Sequence, residues 1–462
     1  MFHRIFFLFV VLFIGIQNAA AEWKAAAAKL NMTPTEPMWM SGYSSRKTPG
    51  SGKTTEIYAK VLLLEDERKT RLVTITFDLV GVPQPFRLEL SSAVDKQFGI
   101  RPANLFLNAS HTHSGPMVRL VPPFRPGGKT RPAYANIPEN EIDKYVGLTQ
   151  AYLAKLQSDL LDEIAGCIKR LEPAKVQYSI GRCGFAMNRR LIMPTRILNS
   201  PNPDGPVDHD VPVLQVRNAK KELLAILFGY ACHNTVLSYM TFSGDYAGWA
   251  QQYLEEDHPG AIALFVTGCG ADQNPYPRRI PHWAPRHGRS LANAVEAGLI
   301  ANPQTVSSSI STGLEYIDLV YDKPPTREDL EKKAKSSNPY DRRHGKMSLE
   351  YLEATGSLKT KHSYPVQAIR LGEDLTMITL GGEVVVDYSL RLKRELKGDV
   401  WVAGYSNDLV GYVPSERVLK EGGYEGGGAM RFVRGIPHPG PWAPGIEEHI
   451  VGTVHKLVKG LE

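Results

Sequence analysis

The chain has little cysteine: Cys167, Cys183, Cys232 and Cys269 in 462 residues, with no Cys-x-x-Cys pair. That spacing excludes a thiolate zinc knuckle and leaves any disulfide pairing open. Long apolar runs are also missing beyond the amino-terminus, so no later segment has the length to cross a bilayer. There is no internal repeat and no low-complexity linker, and the composition, 42% hydrophobic and 22% charged, is that of an ordinary globular chain. Strong charge is absent as well. A net charge of +6 is too small to imply nucleic-acid binding.

What is present begins with a three-part amino-terminus. Met1–Arg4 is basic, Ile5–Ile16 is apolar throughout, and Ala19-Ala20-Ala21 supplies small residues before Glu22. This pattern predicts a signal peptide over 1–21, one domain over 22–462, and a secreted or periplasmic protein. No Cys lies at the expected cut, which argues against a lipid anchor.

Strand and helix patterns alternate along the rest. Tyr58–Leu64, Leu72–Leu79, Asn104–Asn108, Val213–Arg217, Leu223–Tyr230, Ile262–Thr267, Gln367–Leu371, Thr376–Leu380 and Val400–Tyr405 read as strands. Phe86–Phe98, Ile142–Leu171, Gly248–Glu256, Arg327–Thr355, Val384–Glu395 and Ile446–Leu461 read as helices. The expected class is therefore α/β (α+β), layered sheets flanked by helices.

Chemistry-bearing residues fall where apolar strands end, the position at which layered α/β proteins place ligands. His111 and His113 form a His-x-His pair after one strand, and His233 follows another. Glu383 closes Leu380-Gly381-Gly382-Glu383, and Tyr412 lies in a later loop. Nitrogen and oxygen donors at successive strand ends suit a catalytic zinc site with an open position.

These segments are similar to the neutral/alkaline, non-lysosomal ceramidase family. Asn108-Ala-Ser-His-Thr-His-Ser-Gly-Pro116 resembles its Thr-His-Thr-His-Ser-Gly-Pro motif. Met38-Trp-Met-Ser-Gly-Tyr43, Phe185-Ala-Met-Asn-Arg189, Ser243-Gly-Asp-Tyr-Ala-Gly248, Gly381-Gly-Glu-Val384, and Ser406-Asn407 through Tyr412 and Tyr424-Glu425 resemble further family segments in the same order. The resemblance implies the family's catalytic domain without its carboxyl-terminal domain. It also implies a Zn²⁺ held by His111, His233, Glu383 and Tyr412. His113 and Arg189 would then be catalytic, His113 beside the water or substrate oxygen and Arg189 on substrate charge. Were the reaction instead an elimination of water, His113 or Tyr412 would be the catalytic base. The family's Gly-Asp-x-Ser-Pro-Asn is replaced by Gly268-Cys-Gly-Ala-Asp-Gln-Asn-Pro275, which keeps Asp272 and loses the serine.

Acid-poor windows surround the motifs. Arg119, Arg125, Lys129 and Arg131 lie in one, Arg182, Arg189, Arg190 and Arg196 in a second, Arg278, Arg279, Arg286 and Arg289 in a third, and Arg431, Arg434 and His438 in a fourth. Clustered arginine favours oxyanions. With Phe124, Tyr134, Tyr276, Trp283 and Trp442 nearby, it suggests an anionic, uronate-bearing carbohydrate as substrate. Zinc-activated water would hydrolyse it, or a base would eliminate water from it. The alternative is a lipid amidase acting on the N-acyl bond of ceramide.

Overall fold

The computed structural model describes residues 23–124, 127–132, 137–373, 375–432 and 440–461. The stretch Met1–Ala21, with Arg125, Tyr134, Arg434, His438 and the side chain of Arg431, lies outside them.

Two sheets form the centre. The larger has nine strands, in the order Ile262–Thr267, Leu223–Tyr230, Asp210–Asn218, Glu172–Arg182, Trp23–Asn31, Tyr58–Glu65, Arg71–Phe77 and Leu105–Ala109, with Gln304–Thr305 added against Glu172–Arg182. The smaller has four, in the order Ile310–Val320, Lys361–Leu371, Leu375–Leu380 and Asp399–Ala403. Leu214, Val216 and Leu227 of the first sheet and Ile369, Met377 and Trp401 of the second share one buried cluster, so the sheets pack face to face. Gly229 allows that approach, because a Cβ there would stand 2.8 Å from the Trp401 ring.

Helices cover the outer faces. Gln84–Phe98 and Ile142–Lys169 close one apolar cluster on the large sheet, and Asp245–Asp257 and Trp283–Ile300 close another. Val386–Glu395 and Ile446–Lys459 cover the small sheet. The order helix, sheet, sheet, helix is the layered α/β class expected.

The edges of the large sheet curl toward each other. Asn108 on one edge accepts from Thr267 N at 2.8 Å on the other, and Thr267 Oγ1 donates to Ala109 O at 2.8 Å. The Asn108 amide also donates to Gly404 O at 2.8 Å in the small sheet. One side chain thus ties together three strand ends. The strand ending at Ala109 runs parallel to Arg71–Phe77, and those ending at Tyr230 and Thr267 run parallel to each other. Leu375–Leu380 and Asp399–Ala403 are parallel in the second sheet. The loops that carry His111, His233, Glu383 and Tyr412 follow these carboxyl ends.

Several elements differ from expectation. Arg327–Thr355 is two helices, Arg327–Ala334 and Pro339–Thr355, because Pro339 cannot continue the first and instead opens the second behind the Asn338 cap. Glu383–Val384 is a two-residue strand, and the helix begins at Val386. Trp23–Asn31 was not anticipated as a strand. Its alanine run favours helix by propensity, yet pairing with Tyr58–Glu65 and Glu172–Arg182 overrides that preference. All four cysteines are buried and unpaired. Among the described residues no helix is long and apolar enough to cross a membrane.

Candidate metal centre

His111 and His233 are each oriented from behind. His111 Nδ1 lies 2.6 Å from Val80 O, and His233 Nδ1 lies 2.8 Å from Gly270 O. A carbonyl oxygen only accepts, so both rings carry their proton on Nδ1 and turn the Nε2 lone pair inward. Glu383 Oε2 sits between them, 3.3 Å from His111 Nε2 and 3.4 Å from His233 Nε2. It is buried and has no hydrogen-bond donor. Tyr412 Oη is 3.4 Å from His233 Nε2. Three acceptors therefore face one another in a buried volume, an arrangement that repels itself unless a cation fills it.

The separations fit such a cation. Tetrahedral donors about 2.0–2.2 Å from a zinc ion stand about 3.3–3.6 Å apart. The carbonyls behind the imidazoles supply the outer partners that metal-binding histidines ordinarily have. His111, His113 and His233 also place ring nitrogens within 4.8 Å of one another. His113 Nε2 lies 3.1 Å from His111 Nε2, and its buried Nδ1 has no partner. Of the His-x-His pair, it is His111 whose Nε2 faces Glu383.

The electrostatics favour neutral rings at His233 and His113 and an ionised carboxylate at Glu383. Burial, followed by the charge of Arg189, pushes His233 down to about 3. Burial, then His111 and His233, pushes His113 well below the usual histidine range. Burial raises Glu383, but His111 and His233 outweigh it and hold the carboxyl well below its usual range.

Local structure explains the convergence. Glu383 and Tyr412 are register partners in a two-residue parallel ladder, with Glu383 N donating to Gly411 O at 2.7 Å. His233 N donates to Gln273 O at 3.0 Å. His111 adopts φ 58, a strained value for a non-glycine residue, and Tyr405, whose ring centroid is 4.5 Å from that of His111, adopts φ 52. Gly42 has φ 94, and a Cβ there would enter the His113 ring. Gly42→Ala is therefore expected to displace His113, lowering turnover about 10–100-fold while metal content stays at wild-type level. Paired metal analysis and steady-state kinetics check this.

Arg189 is placed differently from expectation. It is buried, with Nε donating to Glu425 Oε1 at 2.8 Å and Nη2 to Tyr412 Oη at 2.9 Å. Its charge is thus paired with Glu425 and its Nη2 holds the Tyr412 oxygen, while the side chain also lines the cavity beside the donors. Arg190 donates to the other Glu425 oxygen at 2.7 Å. Sequence reading missed Glu425 as the shared counter-ion, and Tyr43 and Tyr405 as the rings against His113 and His111. The recognised Tyr424-Glu425 segment was the only signal for the first.

Asp272, in the altered middle motif, is structural. Its Oδ1 accepts from Val386 N at 2.9 Å, its Oδ2 from Asn188 at 3.1 Å, and its carbonyl from Arg189 N at 2.8 Å. It links the Arg189 strand to the helix after Glu383.

A cavity of about 280 Å³ opens beside the donors, lined by Tyr43, His113, Arg189, His233, Tyr412 and Tyr424, and on its far side by Asn199, Asn274, Arg278 and Arg279. Of the aromatic residues expected to face a sugar, Phe124, Tyr276, Trp283 and Trp442 do not line it. Trp442 is buried against Tyr321, Phe124 packs on Tyr351, and Trp283 stacks on His287.

Fold and site together define a layered α/β chain with a buried nitrogen and oxygen donor cluster at its strand ends. No protein-family model matches the chain. In sequence it is 24% identical over 245 residues to the neutral ceramidase of Pseudomonas aeruginosa, a match covering 51% of this chain and about a third, 34%, of that protein. In fold it is similar to a ceramidase complexed with C2, at TM-score 0.66 and 18% identity over 90% of this chain and 73% of the other. The crystal structure of the Pseudomonas aeruginosa neutral ceramidase gives TM-score 0.66 and 19% identity over 89% and 72%. The chain is thus a relative of the neutral ceramidases, alike in sequence over about half its length and in fold over nine-tenths.

Proposed function

We propose that the chain is a metal-dependent amidase of the ceramidase kind, hydrolysing an N-acyl amide. The observation that carries this reading is the convergence of His111, His233, Glu383 and Tyr412 on one buried point within a ceramidase fold. Two imidazoles, a carboxylate and a phenol suit Zn²⁺, and these four residues would hold it. When bound, zinc supplies Lewis acidity toward a carbonyl and toward water.

The remaining groups position and move protons. His113 faces the cavity with an unpartnered Nδ1, which suits it to hold a proton in transit to the leaving amine. Arg189 fixes the Tyr412 oxygen, and Glu425 fixes Arg189. The wall of the cavity beyond His113 and Tyr424 would receive the group attached to the amide nitrogen. The blocks of Met1–Ala21 support export as the setting.

The comparisons favour amide hydrolysis. They give no support to a uronate-bearing carbohydrate or to elimination of water, the readings that arginine-rich loops suggested. In the structure Arg131, Arg182, Arg189, Arg190 and Arg289 are answered by acids that the fold brings to them, as Arg190 is by Glu421 and Glu425.

Purified protein loaded with Zn²⁺ is expected to release fatty acid from ceramide in detergent. Chelation should abolish release and added Zn²⁺ restore it. Folded, metal-loaded protein that releases no acid from ceramide or from simpler N-acyl amides would overturn the proposal.

A further inference from the structure

Arg278 and Arg279 stand beside the proposed metal centre without a counter-ion. Several other arginines of these windows are neutralised in three dimensions, and Arg286 lies over the Trp283 ring. Arg189 and Arg190 pair with Glu425, Arg182 with Asp210, Arg289 with Asp257 and Arg131 with Glu350. No carboxylate of the described residues lies within ion-pair distance of Arg278 or Arg279, although both line the cavity. The field of Arg278 reaches Asp245, but the oxygens of that carboxylate are occupied by Val236 N, Leu237 N and Tyr246 N.

The pair is also held in place. Arg279 adopts φ 72, its N–H donates to Val236 O at 3.0 Å, and its guanidinium lies 4.8 Å from the Tyr43 ring centroid. Arg278 has a buried Nε with no hydrogen-bond partner. Burial, then repulsion from Arg279, weighs against its charge. A guanidinium does not shed its proton to relieve such a cost, so relief comes from an anion. Asn199 and Asn274 complete the polar wall. At about 280 Å³ the cavity is smaller than the about 300–1,000 Å³ of pockets that enclose drug-sized ligands. It suits a compact headgroup, with an acyl chain directed elsewhere.

We propose that Arg278 and Arg279 form an oxyanion subsite flanking the metal centre, so that the preferred substrate is an N-acyl amide whose amine part carries a carboxylate, sulfate or phosphate. The substrate half of this statement rests on the amidase reading; the anion site does not. Guanidinium forks bind these groups through paired, charge-assisted hydrogen bonds.

The test has two arms, both on the full zinc-loaded chain. Calorimetric titration with acetate, sulfate and phosphate at constant ionic strength measures binding. Steady-state assays compare an N-acylglycine and an N-acyl-O-phosphoethanolamine with the N-acylethanolamine of equal acyl length. At least one oxyanion should bind the wild type. Its affinity should fall about tenfold or more in Arg278→Gln/Arg279→Gln and be partly retained in Arg278→Lys/Arg279→Lys. The ratio of kcat/KM for the acidic over the neutral amide should exceed about ten and collapse in the glutamine variant. The single glutamine variants give the same comparison if the double variant fails to fold. No oxyanion binding by wild type, or binding undiminished in a natively folded glutamine variant, overturns the subsite. Oxyanion binding that the variant loses, with no amide cleaved, leaves the subsite standing and removes the amidase reading.

Discussion

His233→Ala is expected to leave the purified chain with less than about a tenth of the wild-type metal content, and to lower turnover by more than the about 10–100-fold that loss of an outer partner costs. The reason is geometric. His233 Nε2 lies 3.4 Å from both Glu383 Oε2 and Tyr412 Oη, so it is the donor that joins the carboxylate to the phenol. Truncation removes a lone pair and leaves the Gly270 carbonyl with Gln273 N alone. His111, Glu383 and Tyr412 remain, but three donors hold zinc less well than four. Elemental analysis of the desalted protein, with turnover measured on the same preparation, checks the prediction. Stoichiometric metal in a folded His233→Ala protein would sink the ligand assignment.

Glu425→Ala is expected to destabilise the fold by about 3–5 kcal/mol, the cost of removing one partner from a buried ion pair. Both Glu425 oxygens are in use, one by Arg189 and the other by Arg190, and all three side chains are almost wholly buried. Truncation strands two guanidinium groups. Arg190 keeps Glu421 at 2.9 Å, but Arg189 keeps only Tyr412 and Asn274. Activity should fall alongside stability, because Arg189 fixes the Tyr412 oxygen. Urea unfolding followed by tryptophan fluorescence measures the first effect. A change below about 1 kcal/mol, typical of an exposed pair, would contradict this account.

The two predictions differ in how far the sequence reveals them. His111, His113, His233, Glu383 and Tyr412 stand out because each follows an apolar strand, and because the surrounding segments resemble those of one family in the same order. Strand ends are legible, since hydrophobic runs and turn residues mark them locally. The Glu425 pair is not. Its partners lie more than two hundred positions away, and nothing in the local pattern around Arg189 says whether its charge faces solvent, substrate or a buried acid. The family resemblance implied that Arg189 holds substrate charge, and only the fold shows the same guanidinium paired with Glu425 and Tyr412. The fold likewise pairs several other window arginines with acids, while Arg278 and Arg279 line the cavity with no carboxylate of the described residues at ion-pair distance.

The alanine strand Trp23–Asn31 makes the same point for the fold. Alanine carries little strand signal, so only its neighbours on both sides identify it. Sequence by itself determined the layered class, many of its strands and helices, and the residue types expected at the centre, because burial period and donor chemistry are written locally. Tertiary structure alone decided that Glu383 and Tyr412 become ladder partners, that Val80 and Gly270 carbonyls aim the two imidazoles, and which arginines keep an unanswered charge. Those outcomes depend on pairings between distant segments, whose register no local pattern encodes.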